Sequence, residues 1–437
     1  MHINERSGWY LAALTFLFTA CSTPKRGLFE KRTPHEKYKA GLDAAGLSST
    51  RLGTLWLAAA DGSLAQPLRI SIPYKETGYF EIDRPQAAGY LFSAKQGELL
   101  TVNVANNPQK GFLLFTELWQ VNGSDKRLLE GADTTTRSIQ YEVKKSGEYL
   151  VRIQPELLLG LAYTITISSG PSLAFPVNKQ HNPKVISVWG DSRDANARSH
   201  EGIDILAKKY TPVVAIADGV VGNVTDGGLG GKVVFMRPQG KSYNLYYAHL
   251  DTQLVQPGQR VFTGDTLGLI GNTGNAKYTV AHLHFGIYTG GGAVDPLPFV
   301  NTNYPQAKPV KADTAYLRRY ARTKNKTVIY PDLTNTSSRT QPSIAADRLV
   351  QLLAATDDYY KIQLPDNNVG FVKINAVTTQ PLRSQKIAEA TPLLDRPAPD
   401  AAIKKQLAKG NNMVVLGSFE NYSFVEMDNV TGWIKMR

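Results

Sequence analysis

Cysteine is almost missing from this 437-residue chain: Cys21 stands alone. That excludes an intramolecular disulfide and any cysteine-ligated zinc site. Basic residues form no run of five or more and no helical stripe, so nothing in the sequence points to a nucleic-acid partner. The apolar stretch Gly8–Ala20 holds thirteen residues, too few to span a bilayer comfortably as a helix. Composition is not biased either, at 42% hydrophobic and 20% charged, which is ordinary globular material. At about 150 residues per domain, three or so domains are expected.

What is present begins with charge. Lys and Arg (49) outnumber Asp and Glu (37) for a net charge of +12, which suits an anionic partner such as an acidic envelope polymer or a lipid surface. Arg6 followed by Gly8–Ala20 fits a signal-peptide core, so residues 1–20 are expected to leave the mature protein. Phe18-Thr-Ala-Cys21 resembles a bacterial lipobox, with Phe18 where Leu is usual. The resemblance implies acylation of Cys21 and a membrane anchor, and Ser22 carries no inner-membrane retention signal of the aspartate kind. An outer-membrane lipoprotein facing the periplasm is the expected location. Residues 21–48 are polar and charged and read as a tether, with His35 solvated.

The expected fold class is mainly β and multidomain. Short alternating runs such as Leu68–Ile72, Leu99–Val104 and Tyr163–Ile167 predict a β-sandwich over 49–170, loosely similar to accessory domains of secreted bacterial peptidases. Between Gly190 and Gly292 lie eighteen of the 37 glycines, interleaved with apolar β runs; this predicts a glycine-rich antiparallel sheet domain over 171–305. A weak repeat follows, in which Asp358–Lys373 is echoed by Asn421–Lys435. Each copy reads as a hairpin closed by an Asp-Asn turn, and the pattern resembles bacterial Src-homology-3-like domains, implying two small barrels over 310–380 and 381–437.

Of seven histidines, four fall within 85 residues of the glycine-rich region. His200 and Asp204, four apart, share one face if the segment is a strand, and Gly202 argues against a helix. His282 and His284 point to one side of a strand, with Leu283 and Phe285 on the other. Two adjacent buried imidazoles repel when protonated and are poorly satisfied when neutral, a difficulty that a metal resolves. His249 ends the apolar run Leu245–Ala248. Each setting alone has a plainer reading, an exposed ion pair or a core histidine; together they indicate a metal centre.

His-x-x-x-Asp, Tyr-Ala-His-Leu and His-x-His-Phe-Gly, in that order, resemble the lysostaphin-type zinc metallopeptidases that cut peptidoglycan peptides. Supporting pieces are Trp189–Asp194, Ala217–Val221 and Ile270–Asn275. The resemblance implies one Zn²⁺ per chain on His200, Asp204 and His284, and His249 and His282 as the catalytic histidines that hold no metal. It implies a zinc endopeptidase acting on stem or cross-bridge peptides of peptidoglycan in cell-wall remodelling. No member of the set is missing, whereas regulatory relatives without activity have lost ligands. The His-Glu-x-x-His pattern of thermolysin-type enzymes is absent, and Glu201 is expected to face away from His200. The other readings are a regulator that activates a second wall hydrolase and a wall-binding scaffold lipoprotein.

Overall fold

The computed structural model describes residues 32–107, 113–193, 196–337 and 341–436. The signal segment 1–20 and Cys21 lie outside them. From Thr33 onward the chain is not the tether its polarity suggested. Helices run over Pro34–Ala44 and Arg51–Ala65, the first closed by a reciprocal capping box between Thr33 and Glu36. His35, expected in solvent, is 5% exposed.

A buried polar network explains how so charged a segment can dock. The His35 ring stacks on Trp56 at 4.8 Å, accepts at Nδ1 from Arg152 (3.1 Å) and donates from Nε2 to Gln154 (2.7 Å). Arg152 pairs with buried Glu117, which also accepts from the Thr33 hydroxyl at 2.6 Å. The Trp56 indole donates to the Pro155 carbonyl at 2.8 Å. Every polar group finds a partner, so burial is tolerated where an unpaired charge would not be.

Burial and the Arg152 charge hold the His35 pKa below its ordinary value, against the pull of Glu117 and the Gln154 hydrogen bond, with Lys39 adding to the lowering. Because the folded pKa is depressed, the docked helices should be fully stable above the unfolded pKa of about 6.5 and lose stability as pH falls below it. Hydrogen exchange at residues 34–65 between pH 7 and 5 checks this. A fall in the protection factors on acidification, after division by the intrinsic exchange rate at each pH, is expected and should vanish in His35→Gln; unchanged protection would refute it.

The sandwich sets a five-stranded sheet, ordered Leu68–Arg69, Ala88–Ala94, Gly147–Pro155, Leu114–Asn122 and Asp125–Gly131, against Tyr74–Phe80, Leu161–Pro171, Glu98–Asn107 and Ser138–Glu142. Strand Tyr74–Phe80 alternates strictly between buried and half-buried positions, and the two inner faces meet over Tyr90, Phe92, Leu100, Leu118, Ile139 and Ile165. Fully buried Glu76 accepts from the hydroxyls of Tyr74, Tyr90 and Tyr163.

The two expected C-terminal barrels are corrected: no closed barrel forms among the described residues. Leu349–Ala355 instead pairs with sandwich strand Tyr74–Phe80 (Thr77 opposite Ala355, Gly78 opposite Ala354), so the sandwich sheet continues through Tyr359–Gln363 and Val369–Lys373. The physical reason is the exposed edge of Tyr74–Phe80, which the later strand covers. The remaining residues build an open six-stranded sheet. Its hairpin Tyr422–Met427/Val430–Lys435 answers Tyr359–Gln363/Val369–Lys373. Both turns are left-handed, at Asn367 and at Asp428-Asn429. Leu349 packs with Tyr422, Phe424 and Trp433 where the two modules meet.

Between these halves the chain makes a ten-stranded sheet that carries the histidines. Its central order is Lys184–Ser187, Ile203–Leu206, His282–Thr289, Asn244–Gln253, Gly231–Pro238 and Gly219–Gly227. One face packs Ile203, Ile205, Tyr247, Leu283, Phe285 and Ile287 into a core. Helix Leu297–Val300 seats the sheet on the sandwich, with the Phe299 ring against Gly97, whose φ of 93° and lack of Cβ both favour glycine. Lys241 pairs with Glu142 across the same boundary, and Leu173 N–H donates to the Phe299 carbonyl at 2.9 Å, closing the two ends of the domain on each other.

Candidate active site

The site forms on the face of the ten-stranded sheet opposite the core. Strand pairing places Asp204 directly opposite His284, so alternation directs both side chains to one side while their neighbours Ile203, Ile205, Leu283 and Phe285 are fully buried. His200 precedes this strand, and its N–H donates to the Asp191 carbonyl at 2.8 Å. Its Nδ1 faces the Val188 carbonyl at 2.9 Å and the Ser187 hydroxyl at 3.1 Å. A carbonyl only accepts, so the proton sits on Nδ1 and the Nε2 lone pair faces inward.

Three donor atoms converge there. His200 Nε2 lies 3.1 Å from Asp204 Oδ1 and 3.0 Å from His284 Nδ1, and His284 Nδ1 lies 3.0 Å from Asp204 Oδ1. A tetrahedral ion with bonds of about 2.0–2.1 Å would set its ligand atoms about 3.3 Å apart. His200 Nε2 and Asp204 Oδ1 are both acceptors and face each other at contact distance, an arrangement that a cation satisfies and a solvent-free pair does not. The donor set therefore fits a metal, and among the described residues it is the cluster with that geometry. Burial alone would raise the Asp204 pKa, yet the two imidazoles packed against it, His200 and His284, hold the carboxyl well below the usual carboxylate range. Burial lowers the His284 pKa against the pull of Asp204. Both shifts favour the deprotonated forms that bind a metal.

His249 and His282 flank this cluster. Their rings lie 5.1 Å apart, and His249 is 5.8 Å from the His284 ring. His249 Nδ1 donates to the Thr273 carbonyl at 2.9 Å and His282 Nδ1 to the Val280 carbonyl at 2.8 Å. Each Nε2 is thereby left as an unprotonated base, and that of His282 lies 3.9 Å from Asp204 Oδ1. Burial, then the charges of His282 and His284, depress the His249 pKa to about 4; it is neutral at physiological pH and can accept a proton. Strand parity would send His249 to the core face with Tyr247. It does not go there, because His249 has φ 60° beside a bulge between Lys232 and Val234, which turns the imidazole into the cleft.

The cleft measures about 800 Å³, and its lining runs from Ile186 to Tyr288, all within one domain. Leu229, Tyr278 and Val280, each more than 60% exposed, put apolar surface on or beside its loops. Sequence reasoning missed Ser187, Arg193, Tyr246 and Tyr288, which all line it. Tyr246 could have been found from the pairing: it lies opposite Gly286, two residues from His284 on the same face. Glu201 also lines the cleft; it lies outside the strand, so strand alternation does not fix where its side chain points.

Residues 198–296 match Peptidase family M23. The chain carries an M23 peptidase domain. All five site residues, from His200 to His284, fall inside the matched stretch. An uncharacterized metalloprotease of Haemophilus influenzae is 42% identical over 128 residues, 28% of this chain and 26% of that protein. Peptidoglycan DD-endopeptidase ShyA of Vibrio cholerae is 30% identical over 166 residues, 38% of this chain and 34% of its own length. Murein hydrolase activator NlpD of Escherichia coli is 35% identical over 120 residues, covering 27% and 29%. The chain thus spans about a quarter to a third of the length of these relatives. The solved catalytic domain of lysostaphin from Staphylococcus simulans aligns with 27% of this chain and 92% of its own at 28% identity and a TM-score of 0.25.

Proposed function

We propose that this M23 domain protein is a zinc-dependent endopeptidase that hydrolyses peptide bonds in peptidoglycan, held in the cell envelope by a lipid anchor on Cys21, at the outer membrane facing the periplasm. The observation that carries the reading is the pairing of a three-donor cluster with two imidazoles whose Nε2 atoms are free to take a proton. His200, Asp204 and His284 would hold the ion, which when bound supplies Lewis-acid polarisation of the scissile carbonyl and a water of lowered pKa. His249, with its depressed pKa, accepts the proton released by the attacking water. His282, whose Nε2 is equally free, can carry that proton in turn, and the imidazole that holds it supports the charge developing on the carbonyl oxygen and returns the same proton to the leaving amine. The backbone carbonyls of Thr273 and Val280 fix the tautomer of both rings, so no reorganisation is needed when the substrate arrives.

A second reading, an activator of another wall hydrolase, is supported by the likeness to NlpD. Against it weighs a cleft whose described lining contains no residue of the sandwich or the C-terminal modules. One experiment separates the two. Protein purified from Ser22 onward should contain about one zinc per chain and should convert cross-linked muropeptides to uncross-linked ones, and a chelator should stop it. Zinc without turnover on any muropeptide would leave only the activator.

A further inference from the structure

One group in the cleft has no part in the chemistry above: the guanidinium of Arg193, carried on the short hairpin Ser192–Arg193/Arg198–Ser199. Its Nη2 donates to Asp204 Oδ2 at 2.7 Å and to the Ser187 hydroxyl at 2.6 Å. The Ser187 hydroxyl in turn donates to Asp191 Oδ2 at 2.6 Å and lies 3.1 Å from His200 Nδ1. Asp191 is fixed by the Val188 N–H at 2.9 Å. A single hydroxyl therefore ties together the groups behind two of the three metal donors.

We propose that Arg193, held by Ser187, is a positioning residue that makes Asp204 a one-oxygen ligand. A carboxylate free to rotate can offer a metal either oxygen or both, and each choice changes coordination number and leaves less room for water and substrate. With Oδ2 occupied by the guanidinium, only Oδ1 faces His200 Nε2 and His284 Nδ1. The Arg193 side chain is 30% exposed, so it screens Asp204 from the solvent side. Lys would keep the charge and could donate to both groups, but from a compact ammonium on a flexible stem rather than a rigid planar guanidinium, so it should hold Asp204 less firmly. Residues 187–193 lie outside the stretch matched to M23, so this support belongs to the chain leading into the domain.

The inference rests on the metal assignment above, and the test keeps the two apart. Zinc affinity would be measured by competition with a chromophoric chelator for the chain from Ser22 onward and for Arg193→Ala, Arg193→Lys, Ser187→Ala and His284→Ala. Arg193→Ala should weaken zinc binding about 10–100-fold, lower kcat and leave KM nearly unchanged. Arg193→Lys should recover part of the affinity, and Ser187→Ala, a change too small to threaten folding, should move it in the same direction by less. Wild-type zinc affinity in both Arg193→Ala and Ser187→Ala, or a raised KM with affinity and kcat intact, would overturn the proposal and make Arg193 a substrate contact. Equal zinc affinity in wild type and His284→Ala would instead fell the ligand set itself.

Discussion

In His284→Ala, zinc binding is expected to fall at least about a hundredfold and hydrolysis of cross-linked muropeptides to drop to background. Structural zinc sites with four protein ligands bind with roughly 10–16 kcal/mol, so one of the three ligands here should carry about 3 kcal/mol, or two powers of ten in affinity. The same change should cost the metal-free protein little stability. His284 is a buried imidazole crowded against His200 and Asp204, and its pKa is lowered by that burial. The loss should therefore appear as the disappearance of the zinc-dependent rise in Tm. Thermal unfolding with and without added zinc, beside elemental analysis, checks both parts; a variant that still gains stability from zinc would remove His284 from the ligand set.

Gly202→Ala should damage the same site without replacing a ligand. A Cβ at Gly202 would sit 2.7 Å from His284 Cε1, 2.8 Å from its Nε2 and 2.7 Å from the Phe285 carbonyl oxygen. The carbonyl belongs to a paired strand and cannot give way, so the imidazole must. Overpacking of this kind costs about 1–3 kcal/mol, and displacing a positioned group by about 1 Å costs on the order of a hundredfold in rate. Steady-state hydrolysis and the Tm of the metal-free protein should both fall. An unchanged rate would mean that His284 has room the structure does not show.

Much of this site was legible in the sequence because strand alternation is rigid. His282 and His284 lie two apart, and pairing with Ile203–Leu206 then brings Asp204 opposite His284. His249 was legible only through its family setting: the left-handed backbone that turns it into the cleft defeats any rule of parity. Arg193 stood inside the supporting piece Trp189–Asp194, but neither it nor Ser187 gave a sign of a role, since that role depends on a hairpin folding back over Asp204. The N-terminal helices were misread for a similar reason. Lys, Arg, Glu and His in residues 25–39 look solvated one by one, and only the partners Glu117, Arg152 and Gln154, more than seventy positions away, make burial of His35 and Thr33 acceptable. The C-terminal hairpins were visible as a repeat, but whether a sheet closes on itself or joins another is decided by a free edge elsewhere in the chain.

That shared edge also sets how the protein bears load. The two residue pairs that join Tyr74–Phe80 to Leu349–Ala355 connect parts of the chain some 275 positions apart, bypassing everything between them. The intervening domain enters and leaves at one place, where Leu173 meets Phe299. Tension applied between the N-terminal helices and the last sheet runs through the sandwich and across this seam, and the cleft hangs beside that path like an instrument on a bracket.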